Sequence, residues 1–249
     1  MWEGEIMTFS ELAQTWLDLY KKGIVKDNTF WGTYYNPTIK HLIPYFGEKE
    51  IDSILPIHVQ AYFRNIESDF ALETLKKHRV ALKAIFACGV ENGFCKRNPV
   101  TKSLVLVSKK SKLKKRTYQE EQYRVIWNYA LSHPFGLSIL LLMELGISRS
   151  ELLGIRWRDI DLIQRTISIE NGTVSQKSVE TGHWGIVTDG LKNEYRERII
   201  PISKTLAAAI SVTPRSESGF LISSPRGKVY DPQNWYKRVY KVFMNDLKN

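Results

Sequence analysis

Little in this chain points to redox or metal chemistry. Its two cysteines, Cys88 and Cys95, belong to no metal-ligand spacing and read as buried, reduced thiols, and no metal or cofactor is expected. Long apolar runs are missing too. The longest, Leu137–Leu145, is interrupted by Ser138 and Glu144 and falls short of the roughly 18 residues of a membrane span. The opening MWEGEIMTF has neither a basic start nor an apolar centre, so no secretory leader is expected there. No internal repeat or low-complexity segment occurs. Acid is the scarcest ingredient relative to its counterpart: 26 Asp and Glu stand against 36 Lys and Arg, a formal net charge of +10. A soluble globular composition with that imbalance and a pI near 9.5 predicts a polyanionic partner and a cytoplasmic location.

The positive charge is concentrated. From Phe94 to Arg116 there are nine basic residues and no acid: Lys96, Arg97, Lys102, Lys109, Lys110, Lys112, Lys114, Lys115 and Arg116. On either side the texture differs, which divides the chain into a helical domain over residues 1–100, a basic linker over 101–116 and a mixed domain over 117–249.

In the first domain Thr8–Glu11 forms a capping box, followed by an apolar stripe of Phe9, Leu12, Ala13, Trp16, Leu17 and Tyr20. An aromatic-rich segment from Asn28 to Phe46 contains Pro37, which predicts a kink or a late start. A third helix begins at Pro56 and carries Val59, Tyr62 and Phe63. A fourth spans Ala71–Asn92 and stops at Gly93. Its core face is Leu75, Leu82, Ile85, Phe86 and Val90. Lys76, Arg79 and Lys83, spaced by three and four, share another face that leads into the basic linker and suits contact with a nucleic-acid backbone.

In the second domain Thr117–Glu120 is another capping box, opening a helix through Ala130. A helix over Pro134–Leu145 follows, and then the stretch LGISRSELLGIRWRDIDL. β signals take over at Thr166–Glu170, Glu197–Ile202 and Gly219–Ser223, and a last helix begins at Asp231-Pro232. The expected fold is mainly α, with an α+β C-terminal part holding a small antiparallel sheet.

Several stretches in this order resemble the tyrosine recombinase (phage integrase) family, in particular the integrases of phages and conjugative transposons. HLIPYFGEKEIDSILPIHVQAYF and LKKHRVALKAIFACGVENGFCKRNP are similar to the family's helical, SAM-like core-binding domain. LGISRSELLGIRWRDIDL is similar to its first catalytic box, and Gly190–Pro201 to its lysine hairpin. The resemblance implies metal-free DNA strand breakage and rejoining through a covalent phosphotyrosine, with arginines stabilising the phosphoryl charge and a lysine protonating the leaving oxygen. It implies duplex DNA as partner, a free monomer that assembles on DNA, and a bacterial or phage origin; the nine positive charges between two separately capped domains, with the basic face of Lys76, Arg79 and Lys83, predict that the domains clamp that duplex in a C shape.

Mapped onto this chain, the family's lysine is Lys192 and its supporting glutamate is Glu151. The family's first arginine falls on Ser148. Arg149 is adjacent, but one residue along a helical turn rotates a side chain by about 100°. Ser148–Glu151 is itself a capping box, so this turn is expected mainly to cap a helix. None of His41, His58, His78, His133 and His183 begins a His-x-x-Arg, and Tyr236 and Tyr240 lie upstream of where the nucleophile belongs. The expected DNA contacts are Lys76, Arg79, Lys83, Lys109, Lys110, Lys112, Lys114, Lys115 and Arg116. Three readings stand: a C-terminally truncated, catalytically incompetent DNA-binding relative; an active recombinase completed by missing segments or another chain, with Arg149 as the substitute arginine; and a DNA-binding regulator or architectural protein.

Overall fold

The computed structural model describes residues 7–111, 117–191 and 196–248. The chain divides into two compact units, Met1–Lys115 with Lys177–His183, and Arg116–Gln176 with Trp184–Asn249.

The first unit is helical. Helix α1 (Phe9–Tyr20) starts at the expected box: the Glu11 amide donates to Thr8 Oγ1 at 3.3 Å, and the Thr8 amide donates to Glu11 Oε2 at 2.8 Å. Its apolar stripe is buried except for Tyr20, which is exposed where the helix ends. Pro37 does not break the next segment. The chain stays helical through α2 (Asp27–Thr29), π-helical Phe30–Tyr35, π-helical Thr38–Leu42 and α3 (Ile43–Phe46). The Asn36 and Ile43 amides reach back five residues to the carbonyls of Trp31 and Thr38. Proline lacks an amide and its ring crowds the carbonyl four residues back, so a wider turn on either side relieves both problems.

Helix α4 (Pro56–Asn65) has proline in its first turn, and the Leu55 amide donates to His58 Nδ1 at 3.2 Å. Helix α5 (Leu72–Glu91) closes at Gly93, whose φ of +77° suits glycine. The core gathers where α1, α3 and α5 meet, with Phe9 at 5.5 Å from Phe46 and 5.9 Å from Phe86, ring to ring. Val90, expected in that core, is instead exposed. His78, which was not expected there, is buried and hydrogen-bonded through Nδ1 to the Tyr62 hydroxyl at 2.7 Å. Part of the basic segment lies along this unit: Leu104 and Leu106 pack on its core, and Gln60 bonds both the amide and the carbonyl of Val105 at 3.0 Å.

The second unit begins with α6 (Glu120–Ser132), two residues later than the Thr117 box requires. The Gln119 amide donates to Gln122 Oε1 at 3.0 Å in its place. Helices α7 (Gly136–Leu145) and α8 (Arg149–Gly154) follow. Strands β1 (Ile160–Asp161), β2 (Thr166–Ile169) and β5 (Arg198–Pro201) form an antiparallel sheet in the order β1-β2-β5, with Ile167 opposite Ile200 and Ile169 opposite Arg198. Strands β3 (Asn171–Lys177) and β4 (Trp184–Gly190) pair separately. The strand expected at Gly219–Ser223 is reduced to two isolated bridges, Arg156 with Phe220 and Ser223 with Val229.

Helix α9 (Lys204–Ser211) leads to α10 (Pro232–Trp235), a π-helical turn over Tyr236–Tyr240, and α11 (Lys241–Asp246). Trp235, Val239 and Phe243 of this last segment enter a core shared with Leu140, Leu152, Ile167 and Leu206. The fold is mainly helical with small antiparallel sheets. No described helix is long and apolar enough to cross a membrane.

Candidate functional site

The turn between α7 and α8 is built from local chemistry. Gly146 sits at φ +59°, the left-handed conformation that ends α7 at little steric cost. Ser148 is extended and caps α8. The Glu151 amide donates to its hydroxyl at 3.3 Å, and its own amide donates to Glu151 Oε2 at 2.7 Å. At the other end of α8, a Cβ on Gly154 would stand 2.5 Å from the Asn171 carbonyl oxygen. The helix therefore abuts the start of β3 backbone to backbone. Two hydroxyls secure this contact: Ser150 Oγ donates to the Thr173 carbonyl at 2.9 Å, and Thr173 Oγ1 to the Leu153 carbonyl at 2.8 Å.

Glu151 is buried and faces a guanidinium. Arg198 Nη1 lies 3.3 Å from Oε1 and Nη2 lies 3.5 Å from Oε2, so β5 is tied to the first turn of α8. Burial raises the Glu151 pKa, but the Ser148 amide and Arg198 together outweigh it and hold the carboxyl below its ordinary range. Ser148 itself is exposed and brings no cation to the turn.

Arg149 points elsewhere. Its guanidinium carbon is 5.9 Å from the centre of the Tyr236 ring, and Lys241 Nζ is 5.5 Å from the same ring. Tyr240 stacks on Tyr236 at 5.6 Å with an interplanar angle of 16°. Beside them Asp231 caps α10, taking the Asn234 amide at 2.8 Å on Oδ1 and the Ser175 hydroxyl on Oδ2. Burial opposes its charge, but the Ser175 hydroxyl, the Asn234 and Gln233 amides and the nearby Arg149 lower its pKa overall. The structure thus associates Glu151 with Arg198, and Arg149 with Tyr236. Sequence reasoning marked the Asp231-Pro232 helix start and missed the partnership with Ser175. Two hydroxyl residues two positions apart on β3, Thr173 and Ser175, were the available signal.

On the first unit, Lys76, Arg79 and Lys83 are all exposed along α5. Lys76 forms a 2.7 Å ion pair with Glu73 in which both side chains are solvated. Arg79 and Lys83 have no acidic partner among the described residues. Lys109 is already engaged: its ammonium lies 2.5 Å from buried Glu67, which also takes Arg64 at 3.1 Å. Lys110 Nζ donates to the Asp69 carbonyl at 3.1 Å. Lys112, Lys114, Lys115, Arg116 and Lys192 lie outside the described residues. Among the described residues no group of three His, Cys, Asp or Glu side chains could hold a metal ion. Both cysteines are free and buried, and burial pushes their thiols up. The site offers guanidinium, ammonium and phenol donors, which suit an anion.

Comparison with known proteins finds similar chains. Residues 9–103 match the phage integrase central domain. A tyrosine recombinase XerC-like protein of Caldanaerobacter subterraneus subsp. tengcongensis is 26% identical over 271 residues, covering 96% of this chain and 67% of that protein. The transposase from transposon Tn916 of Enterococcus faecalis is 25% identical over 161 residues, covering 63% of this chain. The chain spans only 38% of that transposase's length. Among solved structures, the Tn1549 transposon integrase in complex with a circular intermediate DNA superposes with a TM-score of 0.78 at 19% identity, covering 98% of this chain and 80% of that one. A lambda integrase tetramer bound to a Holliday junction gives 0.64 at 17% identity, covering 97% and 66%.

Proposed function

This chain belongs to the tyrosine recombinase (phage integrase) family, and from that premise we propose that it binds duplex DNA through its sugar-phosphate backbone, in the setting of site-specific integration and recombination in a bacterial cytoplasm. The observation that carries the reading is the exposed basic face of α5, where Arg79 and Lys83 have no acidic partner among the described residues, on a chain of net charge +10. The solved relatives above are DNA complexes, which supports the same partner.

Within that function the Ser148–Glu151 capping pair serves folding. Where the family pattern has arginine this chain has Ser148, and Ser148 caps α8. Arg149 is drawn to Tyr236 and does not replace that arginine. Lys192 remains the residue that matches the family's lysine, and Glu151 supports the turn by joining it to Arg198. Lys112, Lys114, Lys115 and Arg116 add charge for the backbone. Lys109 does so less, since its ammonium is held at Glu67. The chain assembles on DNA from a free monomer.

The test is fluorescence anisotropy with a labelled duplex across a salt series. Neutralising about six phosphates makes affinity fall on the order of a thousandfold between 50 and 200 mM salt. A combined Arg79→Gln and Lys83→Gln variant should flatten the slope by about two units. Absence of binding at low salt, or affinity indifferent to salt, would overturn the proposal.

A further inference from the structure

We infer that Arg149, Tyr236 and Lys241 form a seat for a single backbone phosphate of the bound DNA, a contact distinct from the basic face of α5. Two cations approach one phenol ring, Arg149 at 5.9 Å and Lys241 at 5.5 Å, and neither has an ion-pair partner among the described residues. Asp231, whose carboxylate feels the Arg149 charge, has both oxygens engaged, by the Asn234 amide and the Ser175 hydroxyl. Two cations beside one ring add their attraction for a single anion. The donors are complementary: a planar guanidinium fork, a mobile ammonium and the Tyr236 hydroxyl, all of which a tetrahedral phosphate can accept. The ring is fixed in place, because Tyr240 stacks on it at 5.6 Å and the adjoining Trp235 is buried. It is also reachable: Tyr236 is 39% exposed and Lys241 is exposed. A preorganised aromatic plate that holds two cations loses less side-chain freedom on taking a phosphate than two unsupported surface cations would.

This inference rests on the DNA-binding reading, and the two can fail separately. The experiment measures the slope of log affinity against log salt for the whole chain on one duplex. The variants are Arg149→Ala, Lys241→Ala, their double, Tyr236→Ser, and Lys237→Ala as an exposed cation on the same helix that is not held by the ring. Each seat variant should reduce the slope by about 0.9, the value of one phosphate, and the double should lose about the same, because both cations serve one anion. Tyr236→Ser should behave like either cation variant although it leaves the charge unchanged, and circular dichroism checks that each variant is folded. An unbound wild-type chain would defeat the DNA reading and the seat together. If the wild type binds, the seat alone fails on any of three results: unchanged slopes, a double variant that loses about two units, or a Lys237→Ala loss equal to that of Arg149→Ala.

Discussion

Replacing Glu151 by Gln separates the two tasks of that carboxylate. Glutamine at the third helical position can still accept the Ser148 amide, now 2.7 Å from Oε2, so the capping box survives. What is lost is the charge facing Arg198, whose nitrogens lie 3.3 and 3.5 Å from the carboxylate oxygens. A fully buried pair broken on one side costs about 3–5 kcal/mol. Here the arginine side chain is 36% exposed and the contacts are long, so water recovers much of it, and about 1–2 kcal/mol is expected. Glu151→Ala removes the reciprocal cap as well and should cost about 1 kcal/mol more.

Urea denaturation at several pH values is the assay. The folded pKa of Glu151 is depressed, so its stabilisation is present above the ordinary carboxylate range and disappears as the pH falls through the folded value. The gap between wild type and Glu151→Gln should therefore be full at pH 7 and narrow as the pH falls below the ordinary carboxylate range. A glutamine variant as stable as wild type at pH 7, or a gap that persists unchanged in acid, would refute the reasoning.

Other perturbations follow from single contacts. Gly154→Ala would put a methyl 2.5 Å from the Asn171 carbonyl oxygen and should destabilise by about 1–3 kcal/mol in the same assay; a neutral result would mean that α8 and β3 can separate freely. Ser148→Ala deletes a cap and should cost about 1 kcal/mol, while leaving the salt slope of DNA binding intact. His78 is buried and its pKa is lowered to about 4, first by desolvation and then by neighbouring His41. The unfolded chain binds that proton more readily, so stability should fall as pH drops from about 6.5 to about 4, by on the order of 2–3 kcal/mol. His78→Gln should flatten that pH profile, and an equally steep profile in the variant would assign the titration to another group.

The helices were legible in the sequence wherever local chemistry decides them. The Thr8 and Ser148 caps, the Gly93 stop and the β signal at Thr166–Glu170 follow from side chains a few residues apart, and all appear in the structure. Legibility declined where a partner lies far along the chain. Thr117 has a good capping pattern, yet α6 starts at Glu120, where Gln122 supplies the amide acceptor. Val90 has the right hydrophobicity but is 39% exposed near the end of α5, whereas His78 lies on the Leu75–Leu82 face and is accepted into the core because Tyr62 meets its nitrogen. That spacing was a usable signal. Of the candidate site, Glu151 was readable from its box. Its partner Arg198 is 47 positions away, and Arg149's attraction to Tyr236 depends on where α10 lands.

The paired wide turns around Pro37 make the segment from Asp27 to Phe46 a vernier. Each π-helical stretch takes up more residues per revolution than an α-helix, so it holds a spare residue without turning the side chains beyond it. Removing one residue from Phe30–Tyr35 would let an ordinary α-helical turn cover the same revolution with one residue fewer, and the following segment would keep its phase. Leu42 and Phe46, fully buried, would stay in the core, and Lys40 would stay in water. A single-codon deletion here should therefore be far milder than one in the middle of α5, where no residue is spare and every side chain beyond the gap would turn by about 100°.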